Sequence, residues 1–206
     1  MKTHPTRRKS GFTLVELLVV IAIIAVLAGA GFAAGNAAIQ KARKTTALAA
    51  CTAIDQAVSQ FYAEYGAMPT KDTTSGETDA PALDTKTDKE FLNILLGLNE
   101  TANPPLNTRA NKFLSVKEGK KKGTTDGTNG IIYNADGKTV LGLFDPWGGT
   151  YKVILDTGYD ERVMPAPKGG GGPVNPLNGR HSATWSDGAD GVGAAAGNAA
   201  DDVKTW

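Results

Sequence analysis

Cysteine and histidine are almost missing from this chain of 206 residues: Cys51 is the one cysteine, and His4 and His181 are the only histidines. One cysteine excludes an intrachain disulfide, and two histidines leave little material for a zinc or histidine-based active site. Excess charge is missing as well. With 22 basic and 21 acidic residues the net charge is +1, which offers no electrostatic footprint for nucleic acid, so no such partner is expected. A content of 41% hydrophobic and 21% charged residues excludes a disordered acidic tail or a collagen-like repeat. Charge is also missing locally. None occurs from Leu17 to Gln40, whereas Lys2, Arg7, Arg8 and Lys9 carry all the charge of the first eleven residues.

That basic head precedes an apolar run, Leu14 to Ala28, built almost wholly of Leu, Ile, Val and Ala. About twenty such residues span a bilayer as a helix, with the basic flank in the cytoplasm. A cleaved secretory signal peptide is one reading, since Ala28-Gly29-Ala30 resembles a small-residue cleavage site. A plain membrane anchor is a second. Glu16 argues for a third: a carboxylate in such a run costs roughly 2.5 to 3.5 kcal/mol near the helix centre and less toward the interface, so it marks a functional position.

The stretch Gly11-Phe12-Thr13-Leu14-Val15-Glu16-Leu17 resembles the prepilin processing site of type IV pilins and type II secretion pseudopilins. The resemblance implies that a prepilin peptidase cuts between Gly11 and Phe12 and N-methylates the new Phe12 amine. Cleavage then sets a positive amine one helical turn from Glu16, a pair that can be satisfied within a chain or between neighbouring subunits. In the family, the intersubunit pairing guides filament assembly. Loss of the four basic leader residues takes 22 cations to 18 against 21 acids, so the mature chain carries −3. Family members often carry a proline where this chain has Ala33; Gly29, Gly31 and Gly35 surround it instead.

From Ala42 apolar residues recur every three or four positions, at Leu48, Cys51, Ile54, Val58, Phe61 or Tyr62, and Tyr65. This spacing predicts one buried helical stripe, with Asp55, Gln56, Ser59, Gln60 and Glu64 on other faces and Gly66 and Pro69 as the stop. A single helix from Thr13 to Tyr65, roughly 80 Å at 1.5 Å per residue, is expected. Cys51 reads as a small buried residue, and Phe61, Tyr62 and Tyr65 as core.

Further along, Thr87-Asp88-Lys89-Glu90 has the pattern of a capping box, with Phe91, Leu92, Leu95 and Leu96 as the apolar face of a short helix and Gly97 as its end. Lys120-Lys121-Lys122 reads as a solvated loop. Strands are predicted at Ile131 to Tyr133, Thr139 to Leu143 and Tyr151 to Leu155, in one small antiparallel sheet. Asp145-Pro146-Trp147-Gly148, followed by Gly-Thr-Tyr151, is turn chemistry and is also similar to a segment of major pseudopilins. Gly169 to Gly172 reads as a flexible loop and lacks a phosphate loop's Gly-Lys-Ser/Thr ending.

The end of the chain gathers Asp187, Asp190, Asp201 and Asp202 among glycines and alanines. Calcium accepts six to eight oxygen ligands from flexible loops, although this is no EF-hand ladder. Major pseudopilins end in a similar turn, Asp-Asp pair and Trp, and bind calcium there. The resemblance implies Asp190, Asp201 and Asp202 as side-chain ligands, Asp187 and Ala199 as backbone-carbonyl ligands, and Trp206 packed beneath the ion.

Together these features predict an α+β, pilin-like fold: a long N-terminal helix, transmembrane and then amphipathic, packed on a small antiparallel β-sheet with a C-terminal calcium-type loop. The expected divisions are a cleaved leader at 1–11, a membrane half at 12–36, an amphipathic half at 37–66 and a periplasmic domain at 67–206. The expected role is that of a non-enzymatic subunit of a type II secretion pseudopilus. Its partners would be copies of itself, the prepilin peptidase, the inner-membrane assembly platform and minor pseudopilins. Two other readings are a type IV pilin for adhesion, motility or DNA uptake, and a tethered hydrolase using His181, Ser182 and Asp187. The hydrolase lacks a nucleophile elbow and metal-ligand spacing.

Overall fold

The structure, a computed structural model, describes residues 11–71, 79, 81–98, 104–165, 175–191 and 201–206, without the side chains of Ala30, Gly31, Ala33 and Ala34. The expectations for leader residues 1–10, Gly169 to Gly172 and Ala199 lie outside the described residues. In chain order the elements are α1 (Leu14–Tyr65), β1 (Leu83–Asp84), α2 (Lys89–Leu96), β2 (Lys120–Lys122), β3 (Asp126–Thr128), β4 (Gly130–Tyr133) and β5 (Val140–Phe144). They continue with β6 (Tyr151–Leu155), β7 (Arg162–Val163), β8 (Leu177–Asn178), β9 (Ser182–Ser186) and β10 (Val203–Lys204).

The chain divides into two compact units, Met1–Lys41 and Ala42–Trp206. In the first, α1 exposes large apolar side chains on every face, among them Leu14, Leu17, Ile21, Ile24, Leu27 and Phe32. The expected membrane half, 12–36, includes the four residues whose side chains are outside the description. Among the described residues no helix is long and apolar enough to cross a membrane.

In the second unit, Ala47, Cys51, Ile54, Val58 and Phe61 of α1 are buried. Their alternating four- and three-residue steps hold one helical face. Leu48, expected on that stripe, is 43% exposed, because it lies about 100° around the helix from Ala47. Burial pushes the Cys51 thiol up, with Asp55 and Asp145 adding to it, which leaves it a packing residue. The stripe packs with Phe91, Leu92 and Leu95 of α2 and with Val140, Leu143, Tyr151 and Val153. Each such side chain contributes roughly 1.5 to 3 kcal/mol on burial.

Helix α2 ends as its sequence directs. Gly97 adopts φ 66°, its N–H donates to Ile94 O, and Leu98 N–H donates to Asn93 O, a Schellman closure. A side chain at position 97 would also meet Ala110 O at 2.3 Å. The start differs from expectation. Asp88 is the N-cap but makes no side-chain capping bond. Its Oδ2 instead accepts Asp84 N–H at 2.6 Å, in a turn where Asp84 Oδ1 accepts Lys86 N–H at 2.8 Å.

The predicted single sheet becomes one four-stranded sheet and three ribbons. The sheet runs β1-β6-β9-β10, all antiparallel, with Val153 opposite Thr184 and Val203 opposite Ser186. The ribbons are β2-β3, β4-β5 and β7-β8. Lys120 to Lys122, expected as loop, form exposed strand β2 paired with β3. A strand with no apolar face has no alternation to read. Its partner Gly127 sits so close to Ile132 that a Cβ there would lie 2.3 Å from Ile132 Cγ1.

Both faces of the sheet are covered. Period-2 alternation sends Tyr151, Val153 and Leu155 to the main core, while Ile154, Ala183 and Trp185 join Val163 in a second cluster. Hence all five residues of β9 are buried, including Ser182, Thr184 and Ser186. Those three hydroxyls require partners inside the protein.

Candidate functional site

At the start of α1, Thr13 N–H and Thr13 Oγ1 both donate to Glu16 Oε2 at 2.8 Å, and Glu16 N–H donates to Thr13 Oγ1 at 3.3 Å. This is a reciprocal capping box, in which two otherwise unpaired N–H groups of the first turn are satisfied. It fixes the Glu16 carboxylate beside the residue that follows Phe12. Phe12 is 83% exposed, and nothing lies within 4 Å of where a Cβ on Gly11 would sit. Among the described residues the Gly11–Phe12 bond is therefore open, and none of their packing demands glycine at 11.

In the second unit, carboxylates organise the end of the chain. Asp145, only 1% exposed, closes the turn after β5. Its Oδ1 accepts the N–H groups of Trp147, Gly148 and Gly149 at 2.8 to 2.9 Å, and its Oδ2 accepts Ser186 Oγ at 2.6 Å. Trp147 is partly buried against the core. Just after β9, Gly188 takes φ +74°, where a side chain would collide with Asp201 O at 2.4 Å. Asp201 Oδ2 accepts Ala189 N–H at 2.8 Å and Asp190 N–H at 3.0 Å.

The other oxygens there are less well served. Asp201 Oδ1 and Asp202 Oδ1 are buried and have no hydrogen-bond partner among the described residues. Burial pushes the Asp202 carboxyl up, and the charges of Asp187, Asp201 and Asp190 push it further, against a smaller pull from Lys204. Three carboxylates thus lie within electrostatic reach of Asp202. Among the described residues, however, no group of three or more His, Cys, Asp or Glu is close enough to hold a metal ion. Orphaned hard oxygens and mutual repulsion fit a calcium-type ion, which would have to draw the carboxylates together. Trp206 packs edge-on against Trp185, with centroids 5.9 Å apart, and lies beneath Lys204 Nζ at 5.8 Å.

A family model described as the prokaryotic N-terminal methylation motif matches residues 6–32, the segment that holds the capping box. The chain is 31% identical over 74 residues to type IV major pilin protein PilE1 of Neisseria gonorrhoeae, covering 36% of this chain and 45% of that protein. It is 30% identical over 82 residues to PilE of the same species, covering 40% and 49%. A fimbrial protein of Neisseria meningitidis serogroup A is 32% identical over 68 residues, covering 33% and 40%. The chain is type IV pilin-like, with a prepilin-type N-terminus. The matches span less than half the length of these relatives, and no solved structure matches the chain.

In this pilin-like chain the residues expected to form a hydrolase relay are engaged elsewhere. Ser182 Oγ donates to Asp55 Oδ1 at 2.9 Å. His181 stacks on Tyr62 with centroids 4.3 Å apart, and its Nδ1 lies 3.8 Å from Asp156 Oδ2. Asp187 sits with the acidic group at the chain end.

Sequence reasoning missed Asp55. Expected on a solvent face, it is half-buried, and its Oδ1 accepts Thr184 Oγ1 at 2.6 Å as well as Ser182. Burial pushes its carboxyl up, while the hydroxyls of Thr184, Thr205 and Ser182 and the charge of Arg180 pull it back. In the sequence, the trace of this was the alternation of hydroxyls in Ser182-Ala183-Thr184-Trp185-Ser186, which reads as a strand with one hydroxylic face.

Proposed function

We propose that this pilin-like chain is a structural subunit of a type II secretion pseudopilus, acting mechanically and not as an enzyme. The precursor sits in the inner membrane through residues 12–36, with its N-terminus cytoplasmic and the domain after residue 66 periplasmic. Prepilin peptidase cuts after Gly11 and N-methylates Phe12. Copies then pack through α1 into a periplasmic filament, together with minor pseudopilins and the assembly platform. The observation that carries this reading is the Gly11-to-Leu17 motif with its Thr13–Glu16 capping box. Among the described residues Glu16 is held by Thr13, and its carboxylate has acceptor capacity left, so in a filament it can also receive the Phe12 amine of a neighbour.

Calcium is part of the proposal. Asp190, Asp201 and Asp202 would supply carboxylate oxygens, with Asp187 and Ala199 contributing backbone carbonyls. The ion would supply positive charge that cancels their repulsion and ties the tail to β9. The orphaned oxygens of Asp201 and Asp202 support this part.

A second reading, a type IV pilin for adhesion, motility or DNA uptake, is favoured by the names of the curated relatives. Two measurements test the scheme. The mass of the N-terminal peptide should correspond to N-methyl-Phe12; a terminus near Gly31 would restore the signal-peptide reading. Deletion in the native host should abolish secretion of exported enzymes while leaving surface pili, whereas loss of pili with secretion intact would favour the second reading.

A further inference from the structure

We propose that the cleft between the second half of α1 and the turn joining β8 to β9 binds a neutral carbohydrate, with Arg180, Gln56 and Gln60 as its main hydrogen-bonding groups. The cleft lies wholly within the Ala42–Trp206 unit and does not depend on the filament reading. Its volume of about 680 Å3 falls in the range of pockets that take small ligands.

The chemistry of the walls selects the ligand class. Helix α1 contributes Thr52, Gln56, Ser59 and Gln60, all exposed and spaced at i, i+4, i+7 and i+8, which places them on one helical face. Gln56 and Gln60 can both donate and accept, whereas the Thr52 and Ser59 hydroxyls donate to Leu48 O and Asp55 O at 2.9 Å and present acceptor oxygens to the cleft. This mixture of donors and acceptors matches the hydroxyls of a sugar, which also donate and accept.

Charge selects further. Besides His181, Arg180 and Asp55 are the ionisable groups of the cleft, and their formal charges oppose each other, so the pair carries no net positive charge to favour a phosphate or a polyanion. Asp55 Oδ1 already accepts two protein hydroxyls. Arg180 is half-buried, and although its charge pulls Asp55 down, its guanidinium closes no ion pair among the described residues. A planar fork of donors in a polar cleft suits the acceptor pairs of a vicinal diol.

The test uses the full mature chain in a zwitterionic detergent without a sugar headgroup. Saturation-transfer NMR and calorimetry would be run with maltotriose, cellotriose and triacetylchitotriose. Tetraglutamate and inorganic phosphate serve as charged competitors. At least one trisaccharide should bind with a Kd of about 10 mM or tighter, and neither competitor should displace it. Arg180→Gln should weaken binding about tenfold and Gln60→Ala about threefold, with the thermal midpoint unchanged for Gln60→Ala. Failure of all three sugars to bind, or parental affinity in both variants, overturns the proposal. Displacement by tetraglutamate would reassign the cleft to an acidic peptide, and displacement by phosphate to an anion.

Discussion

Asp145 and Asp202 flank the same strand, β9, and live in opposite circumstances. The chain itself answers Asp145, with three backbone N–H groups and the Ser186 hydroxyl converging on its two oxygens. Asp202 faces other carboxylates, and one of its oxygens is buried with no partner among the described residues. The difference teaches how to sort acidic residues in such a domain. A carboxylate matched by local donors is part of the fold, whereas one left among its own kind needs something from outside.

The sharpest way to break this contrast is Asp145→Ala, which strands the N–H groups of Trp147 and Gly149 and a buried hydroxyl, while Gly148 N–H keeps the Asp145 backbone oxygen. Chemical denaturation of the mature chain should show a loss of about 3 kcal/mol or more, while Asp145→Asn, which keeps one acceptor oxygen, should lose less than half of that. An Asp145→Ala variant as stable as the parent would remove the distinction.

The next largest effect concerns Asp202. With calcium at a hundred times its Kd, the parent tail should gain about 2.7 kcal/mol and resist protease, and Asp202→Ala should abolish the gain. In chelator the same variant should be no less stable than the parent, because a repelling charge has gone. Equal cleavage of the parent with calcium and with chelator would sink the calcium proposal.

Acidity gives a third separation, and the signs differ by residue. The folded Asp202 carboxyl lies above its unfolded value, so the folded state binds the extra proton. In chelator, local stability of the tail should therefore fall as pH rises through and just above the ordinary carboxylate range, and calcium should flatten that slope. Asp84 behaves oppositely. Burial alone would raise it, but Lys152, the Lys86 N–H and Thr150 hold it below the usual range. Its contribution should persist above that range and disappear as pH falls through its depressed value. Amide exchange read separately at β10 and β1 distinguishes the two slopes.

The smallest effect belongs to the N-terminal cap. Thr13→Ala removes one half of the box and should cost the first turn about 1 kcal/mol, seen as several-fold faster amide exchange at Leu14 to Glu16. Unchanged exchange would mean that Glu16 is held by something other than Thr13.

The two Thr-x-x-Glu segments show how far sequence reading reached. At Thr13–Glu16 the full box forms, yet the sequence drew attention there only to the glutamate and its processing motif. At Thr87–Glu90 the same pattern gives no box, because the helix is capped one residue later, at Asp88, whose carboxylate accepts Asp84 N–H instead. Neighbouring turns compete for the same acceptor, and only the fold decides between them. The long helix, Gly97 and strands β4 to β6 were legible because apolar periodicity and turn residues coincide there. Strand β2 has no apolar face, β1, β7, β8 and β10 are only two residues long, and β9 hides polar side chains on a buried face. Of the candidate sites, the processing motif and the acidic tail were readable as residue types. The bond from Asp55 to Thr184 was not, since it joins positions 129 apart.

That last separation bears on synthesis. Asp55 emerges early, and its first hydroxyl partner on β9 follows 127 residues later. At 5 to 20 residues per second the wait is about 6 to 25 s. Through that interval the middle of α1 carries a carboxylate whose partners do not yet exist, and Asp145 waits more briefly for Ser186. Closure of the domain around Asp55 therefore waits on the last strands. A chain interrupted before β9 would hold an intact processing motif on a helix whose domain cannot close, which gives quality control a physical difference to detect before any copy joins another.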